Sequence, residues 1–81
     1  PLSEILPHRA VTLAELDGEW SPAVRPGDRL RAGELVGTLN DSLGGRVELR
    51  ATHPGIVLHQ RLAGVVRSGT PLVILGVRPA P

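Results

Sequence analysis

The chain contains no cysteine, no lysine, no phenylalanine, no tyrosine and no methionine. Without cysteine it has no disulfide staple, no thiolate nucleophile and no cysteine-based zinc site. Without lysine, all nine basic residues are arginine. The aromatic content is one residue, Trp20, so a core has to be built from aliphatic side chains: 13 Leu, nine Val and three Ile among 81 residues. Long apolar runs are missing as well. Nothing approaches the roughly 20 residues of a membrane-spanning helix, and no signal-peptide pattern opens the chain. Charge of one sign is also lacking: nine arginines stand against eight carboxylates, for a net +1. The charges are interspersed, so the sequence pI of 9.7 does not denote a basic patch. These absences point to a cytoplasmic protein.

What is present is glycine and proline, ten and eight residues respectively. That is too many breakers for a helical bundle and too even a spread for a disordered tract. Eighty-one residues make one small domain, which buries only roughly 60% of the surface its unfolded chain exposes. The chain opens on Pro1 with no initiator Met, which leads us to expect a domain cut from a longer protein.

Residues 1–8 read as a lead-in segment, residues 9–77 as the domain and residues 78–81 as a tail. Within the domain, Arg9–Leu16 is strand-like and ends at Asp17-Gly18. Glu19–Arg25 is a second short strand interrupted by Pro22. Pro26-Gly27-Asp28 is a strong turn signal, because proline presets φ and glycine accepts φ > 0. A further turn follows at Arg31-Ala32-Gly33, then a strand over Glu34–Leu39. Asn40–Gly45 reads as a polar hairpin tip. Arg46–Ala51 alternates polar and apolar residues without a miss, as a half-buried strand does. His53-Pro54-Gly55 turns the chain, Ile56–Gln60 is a strand, Leu62–Gly69 a loop and Pro71–Val77 a buried strand. No window of 11 or more residues has a clean 3.6-residue period free of Gly and Pro, so little or no helix is expected.

An internal repeat runs through these segments. Leu30-Arg31-Ala32-Gly33-Glu34 through Leu39 matches Val66-Arg67-Ser68-Gly69-Thr70 through Leu75, at an offset of 36 for Arg31/Arg67, Gly33/Gly69 and Leu39/Leu75. Gly18 and Gly55 precede the two copies at nearly equal distances. Neither half can cover its own apolar face, so the two are expected to pack around one closed core with approximate two-fold symmetry. Closure would also remove exposed edge strands. Gly18, Gly27, Gly33, Gly55 and Gly69 are assigned to structural turns.

Three runs carry a family resemblance: Val24–Leu39, Ala51–Val57 and Val66–Leu75. Together they are similar to the biotinyl/lipoyl-type barrel-sandwich hybrid, an all-β fold of about eight short strands with an internal pseudo-two-fold. Carrier domains of that type present a lysine on the hairpin tip. Here the tip is Asn40-Asp41-Ser42-Leu43-Gly44-Gly45, and an arginine guanidinium, always protonated, cannot form the attachment amide. A swinging-arm carrier role is therefore excluded. Among non-carrier relatives, the Asp41…Gly44 hairpin together with Gly55-Ile56-Val57-Leu58 resembles the C-terminal domain of the succinylglutamate desuccinylase/aspartoacylase family. That resemblance implies a zinc-dependent hydrolase of N-acyl amino acids as the parent, with the zinc and its ligands in an upstream catalytic domain and no cofactor in this one. It also implies that the β-domain packs against the catalytic domain and borders substrate access. No binding residue is carried over, since the family's aromatic contribution has no tyrosine here.

The remaining candidates read as structural. His8, His53 and His59 are the only nitrogen ligands available to a metal. His53 and His59 in one extended strand would stand roughly 20 Å apart, too far to share an ion without a sharp bend at Pro54-Gly55. Asp28 and Asp41 sit in turns, where a carboxylate caps backbone N–H groups. Ser3, Ser21, Ser42 and Ser68 lack a nucleophile elbow, and Gly44-Gly45 lacks a phosphate-loop context. Arg25, Arg29 and Arg31 cluster, but single-strand nucleic-acid binders add stacking aromatics, so neither nucleic acid nor membrane is expected as a partner. Trp20 is either a core plug or an anchor at an interdomain contact. The sequence thus assigns no catalytic, metal or cofactor residue. It leads to an accessory domain whose partner is its own catalytic domain, with homo-oligomerisation left open. The second reading is a lipoyl-like interaction module of a transporter or membrane-fusion adaptor.

Overall fold

Eight short strands run through the described residues in the order β1 (His8–Leu13), β2 (Gly18–Pro22), β3 (Arg29–Leu30), β4 (Leu35–Asn40), β5 (Arg46–Arg50), β6 (Gly55–Gln60), β7 (Gly64–Val66) and β8 (Pro71–Val77). They are seen in a computed structural model that describes residues 8–77. Most of the lead-in and the whole tail lie outside these residues, as does Ser3. No helix occurs among the described residues, so none is long and apolar enough to cross a membrane. The all-β, helix-free architecture is the one the breakers and the alternation call for.

The strands form two four-stranded antiparallel sheets, one ordered β1-β8-β6-β3 and the other β5-β4-β2-β7. Exchanging β1 with β5, β2 with β6, β3 with β7 and β4 with β8 turns the first order into the second. The pseudo-two-fold therefore swaps whole sheets. It extends to the register. Leu39 pairs with Val47 as Leu75 pairs with Ala10, and Leu35 pairs with Arg50 as Pro71 pairs with Leu13. Even the register shifts coincide, one between Thr12 and Leu13 on the β1–β8 ladder and one between Leu35 and Gly37 on the β4–β5 ladder.

The expected closure does not occur. The two ladders stay separate, leaving β1, β3, β5 and β7 as edges. β3 and β7 are two and three residues long, too short to zip a continuous ladder around the core. β7 itself lies inside the segment read as a loop from sequence.

The core lies between the sheets. Trp20, Leu39, Leu72, Leu75, Val36, Val57 and Val73 are fully buried. Most come in pseudo-equivalent pairs: Leu39 with Leu75, Val36 with Leu72, Trp20 with Val57. Each aliphatic side chain removed from water contributes about 2 kcal/mol. No polar or charged side chain is buried among the described residues.

His8 pairs with Val77, so the ends of the described chain lie side by side. Leu13, opposite Pro71, marks the far end of that ladder. Residues 14–17 lead from there to Gly18, whose neighbour Glu19 pairs with Asn40. The Asn40–Arg46 hairpin therefore sits at the pole opposite the chain ends.

Candidate functional site

Three tight turns share one construction: Arg25-Pro26-Gly27-Asp28, Arg31-Ala32-Gly33-Glu34 and Arg67-Ser68-Gly69-Thr70. In each, the fourth residue's N–H donates to the first residue's carbonyl, at 3.0, 3.1 and 3.0 Å. The third residue is glycine with φ of +94°, +90° and +90°, as a type II turn requires. Each glycine N–H then reaches out of its turn, Gly27 to the Val57 carbonyl at 2.7 Å, Gly33 to Ala51 at 2.7 Å and Gly69 to Ala14 at 2.8 Å. In two turns the fourth residue's carboxylate also accepts the first residue's N–H: Asp28 Oδ2 from Arg25 at 2.9 Å and Glu34 Oε1 from Arg31 at 2.8 Å. Asp28 is thus engaged in holding backbone.

Gly18 and Gly55 differ from these turn glycines. They begin β2 and β6 and have no positive φ. Their requirement is close approach: a Cβ on Gly18 would stand 2.4 Å from the Asn40 carbonyl oxygen, and one on Gly55 would stand 2.4 Å from that of Gly76. Asn40 and Gly76 are themselves pseudo-equivalent. The turn assignment for these two is corrected to strand-start packing.

At the hairpin tip, Asp41 Oδ1 accepts the N–H groups of Leu43 at 2.8 Å and Gly45 at 2.7 Å. The Asp41 N–H donates to the Gly45 carbonyl at 2.9 Å. Gly44 takes φ +87°. The carboxylate folds the tip back on itself and leaves Leu43 94% exposed.

Trp20 has no exposed surface. Its indole N–H donates to the Arg61 carbonyl at 2.8 Å, and its six-membered ring lies on Gly37, where a Cβ would meet Cη2 at 2.1 Å. A side chain with nothing exposed cannot anchor a partner. Of its two readings, the structure places Trp20 as the plug, and the interface assignment is corrected. Glycine at position 37 is what makes room for the ring.

The histidines do not converge. His8, His53 and His59 are all exposed. His53 Nδ1 lies 2.9 Å from the hydroxyl oxygen of its neighbour Thr52, whereas His59 lies on β6 opposite Ile74. Among the described residues no three of His, Cys, Asp and Glu are placed to hold a metal ion. Arg25, Arg29 and Arg31 are exposed, and the Arg50–Glu48 ion pair, at 3.1 Å, is also half-exposed on both sides. An open hollow of about 400 Å³ is lined by residues 59–65. Gln60, on its wall, has a buried Oε1 with no hydrogen-bond partner. The hollow has no signal in the sequence, because its lining includes β7, whose ladder comes from β2, and Arg61, whose carbonyl is held by Trp20. It brings no acid, base and nucleophile together. Chemically, the described surface offers rigid turns and a fixed tip, with no reactive constellation.

No protein-family model matches the chain, and no curated protein matches it by sequence. Solved structures do. The ectoine utilization protein EutE (DoeB) of Ruegeria pomeroyi, in its apo form, matches 84% of this chain over 22% of its own, at 26% identity and TM-score 0.77. A succinylglutamate desuccinylase/aspartoacylase of Rhodobacter sphaeroides matches 89% of this chain over 23% of its own, at 24% identity and TM-score 0.76. A single-chain, multi-domain long-chain acyl-CoA carboxylase also matches, covering 91% of this chain and 8% of its own at 20% identity and TM-score 0.76; that likeness is one of fold alone. The chain spans less than a quarter of the first two proteins. Over most of its length, this chain is similar in fold to a part, about a quarter, of succinylglutamate desuccinylase/aspartoacylase family proteins.

Proposed function

We propose that this chain is a non-catalytic accessory domain of a zinc-dependent N-acyl amino acid amidohydrolase. In this reading it packs against the catalytic domain and borders the approach of substrate. The observation that carries the reading is the structural match to part of the desuccinylase/aspartoacylase proteins, combined with the chemistry of the described residues. They bury no titratable side chain and gather no metal-ligand group. Acid–base or nucleophilic catalysis needs such groups within hydrogen-bond reach of one another. What the domain supplies instead is shape: tightly hydrogen-bonded turns and a carboxylate-locked tip. The zinc and the general base belong to the catalytic domain, and no step of the hydrolysis is assigned to a residue of this chain.

Two measurements test the proposal. The coding sequence upstream of Pro1 is expected to encode a His-x-x-Glu segment and a later His; long coiled-coil heptads in that place would overturn the hydrolase reading in favour of an adaptor. The purified 81-residue chain is expected to hydrolyse neither N-acetyl nor N-succinyl amino acids and to hold no stoichiometric zinc. Turnover, or zinc lost on replacing His53 or His59, would place chemistry in this domain and refute the accessory role.

A further inference from the structure

Three of the four sheet edges are protected against pairing with another chain. β3 and β7 are only two and three residues long. β5 is five residues long, but its outward positions are all charged: Arg46, Glu48 and Arg50. Arg50 is tied further, to Glu48 and to the Gly33 carbonyl. Short length and charge are the usual means of blunting an edge.

β1 has neither protection. It is six residues long, contains no proline, and no described strand pairs with its outer edge. Its pseudo-symmetry mate is β5, which makes a position-by-position comparison available inside one molecule. Arg9 matches Arg46, but Val11 stands where Glu48 stands, and Leu13 where Arg50 stands. Val11 is 49% exposed and Leu13 48%. The contrast continues inward. Ile74, beside Val11 on β8, matches Thr38, and Ile56 on β6 matches Glu19. The same fold position is polar on one sheet and apolar on the other, so the fold does not account for the difference.

We propose that the free edge of β1 is a self-association surface, on which two copies of this chain pair β1 with β1 antiparallel about Thr12. In that register Val11 of one copy lies opposite Leu13 of the other, twice over, on the outward face. Arg9 comes opposite Glu15 of the other copy, an exposed residue in the bend just past the end of β1, again twice. Apolar residues meet apolar residues and each arginine meets a carboxylate. A pairing about Val11 would instead set Arg9 against Leu13. The two sheets join into one of eight strands, β3-β6-β8-β1 continued by its mirror order in the second copy. A two-fold contact of this kind uses the same patch on both copies and closes at the dimer. It leaves the hairpin tip free and goes beyond the proposed function.

The test is the mass of the 81-residue chain by sedimentation equilibrium, from low micromolar to submillimolar concentration. A monomer–dimer equilibrium is expected. Val11→Asp sets two carboxylates on the shared edge and is expected to leave monomer throughout. Arg9→Glu is expected to weaken the dimer about ten-fold, since it replaces two attractions by two repulsions. The swap Arg9→Glu with Glu15→Arg is expected to restore it. Glu48→Ala, at the β5 counterpart of Val11, is expected to change nothing. If Val11→Asp fails to fold, the charge swap decides alone, since both its positions are exposed. A chain that stays monomeric, that forms open-ended polymers, or whose dimer ignores Arg9→Glu or is not recovered by the swap would overturn the proposal.

Discussion

Gly33 and Gly69 hold the same backbone conformation, φ +90°, and each donates its N–H to an alanine of the other half. Gly33 reaches Ala51 and Gly69 reaches Ala14, and both alanines answer with an N–H to the residue after the glycine, Glu34 or Thr70. The two halves are thus tied by four bonds of one pattern. Nothing lies within 4 Å of where a Cβ would sit on either glycine, so alanine there meets only the conformational penalty. Gly33→Ala and Gly69→Ala are each expected to destabilise the domain by about 1–2 kcal/mol, by nearly equal amounts, in urea denaturation. A large inequality would show that the two turns are not equivalent.

Gly18→Ala and Gly55→Ala should behave differently, since their difficulty is overlap with a carbonyl oxygen at 2.4 Å and not dihedral strain. The ladder itself would have to move. A loss of about 3 kcal/mol is expected for each, exceeding that of the turn glycines in the same titration.

Trp20 is the only fluorophore of its kind in the chain and is fully buried. Its emission is expected at short wavelength in the folded chain, shifting red on unfolding and so reporting the transition. Trp20→Phe removes the donor to the Arg61 carbonyl and part of the ring's volume, and is expected to cost about 2 kcal/mol. Gly37→Ala sets a methyl group against the same ring and is expected to destabilise comparably. Thermal melts followed by circular dichroism check both.

At the tip, both backbone bonds go to the same Asp41 oxygen, Oδ1. Asp41→Asn retains an oxygen that can accept both and is expected to change stability by only a few tenths of a kcal/mol, whereas Asp41→Ala removes it and is expected to cost about 1 kcal/mol. Amide exchange at Leu43 and Gly45 should quicken in the alanine variant alone.

Much of this was legible because the signals are local. Alternation over Arg46–Ala51 and the Pro-Gly-Asp turn depend on a few adjacent residues, and the 36-residue offset needs only the chain itself. The repeat sets Leu39 and Leu75 at equivalent positions, and both are buried in the core. What could not be read depends on partners distant in sequence. β7 is three residues long and has no pattern of its own; it is a strand because β2 supplies its ladder, with Gly18 opposite Val66. The role of Gly18 and Gly55 rests on carbonyls 22 and 21 residues away, Asn40 and Gly76. Burial of Trp20 hinges on Gly37 and on Arg61, 41 residues further along. For the candidate site the sequence was informative mainly through what it lacks, while the hollow along residues 59–65 and the tip bonds of Asp41 needed coordinates.

The adjacency of His8 and Val77 has a consequence for chain connectivity. The hairpin between Asn40 and Arg46 occupies, in the two-fold scheme, the place where the chain ends lie. A circular permutant opened between Ser42 and Leu43, with Val77 spliced to His8 through a short connector, would run through the same ladders with the halves in reversed order. For this architecture, the order in which the two halves are joined is a matter of connection and not of strand pairing.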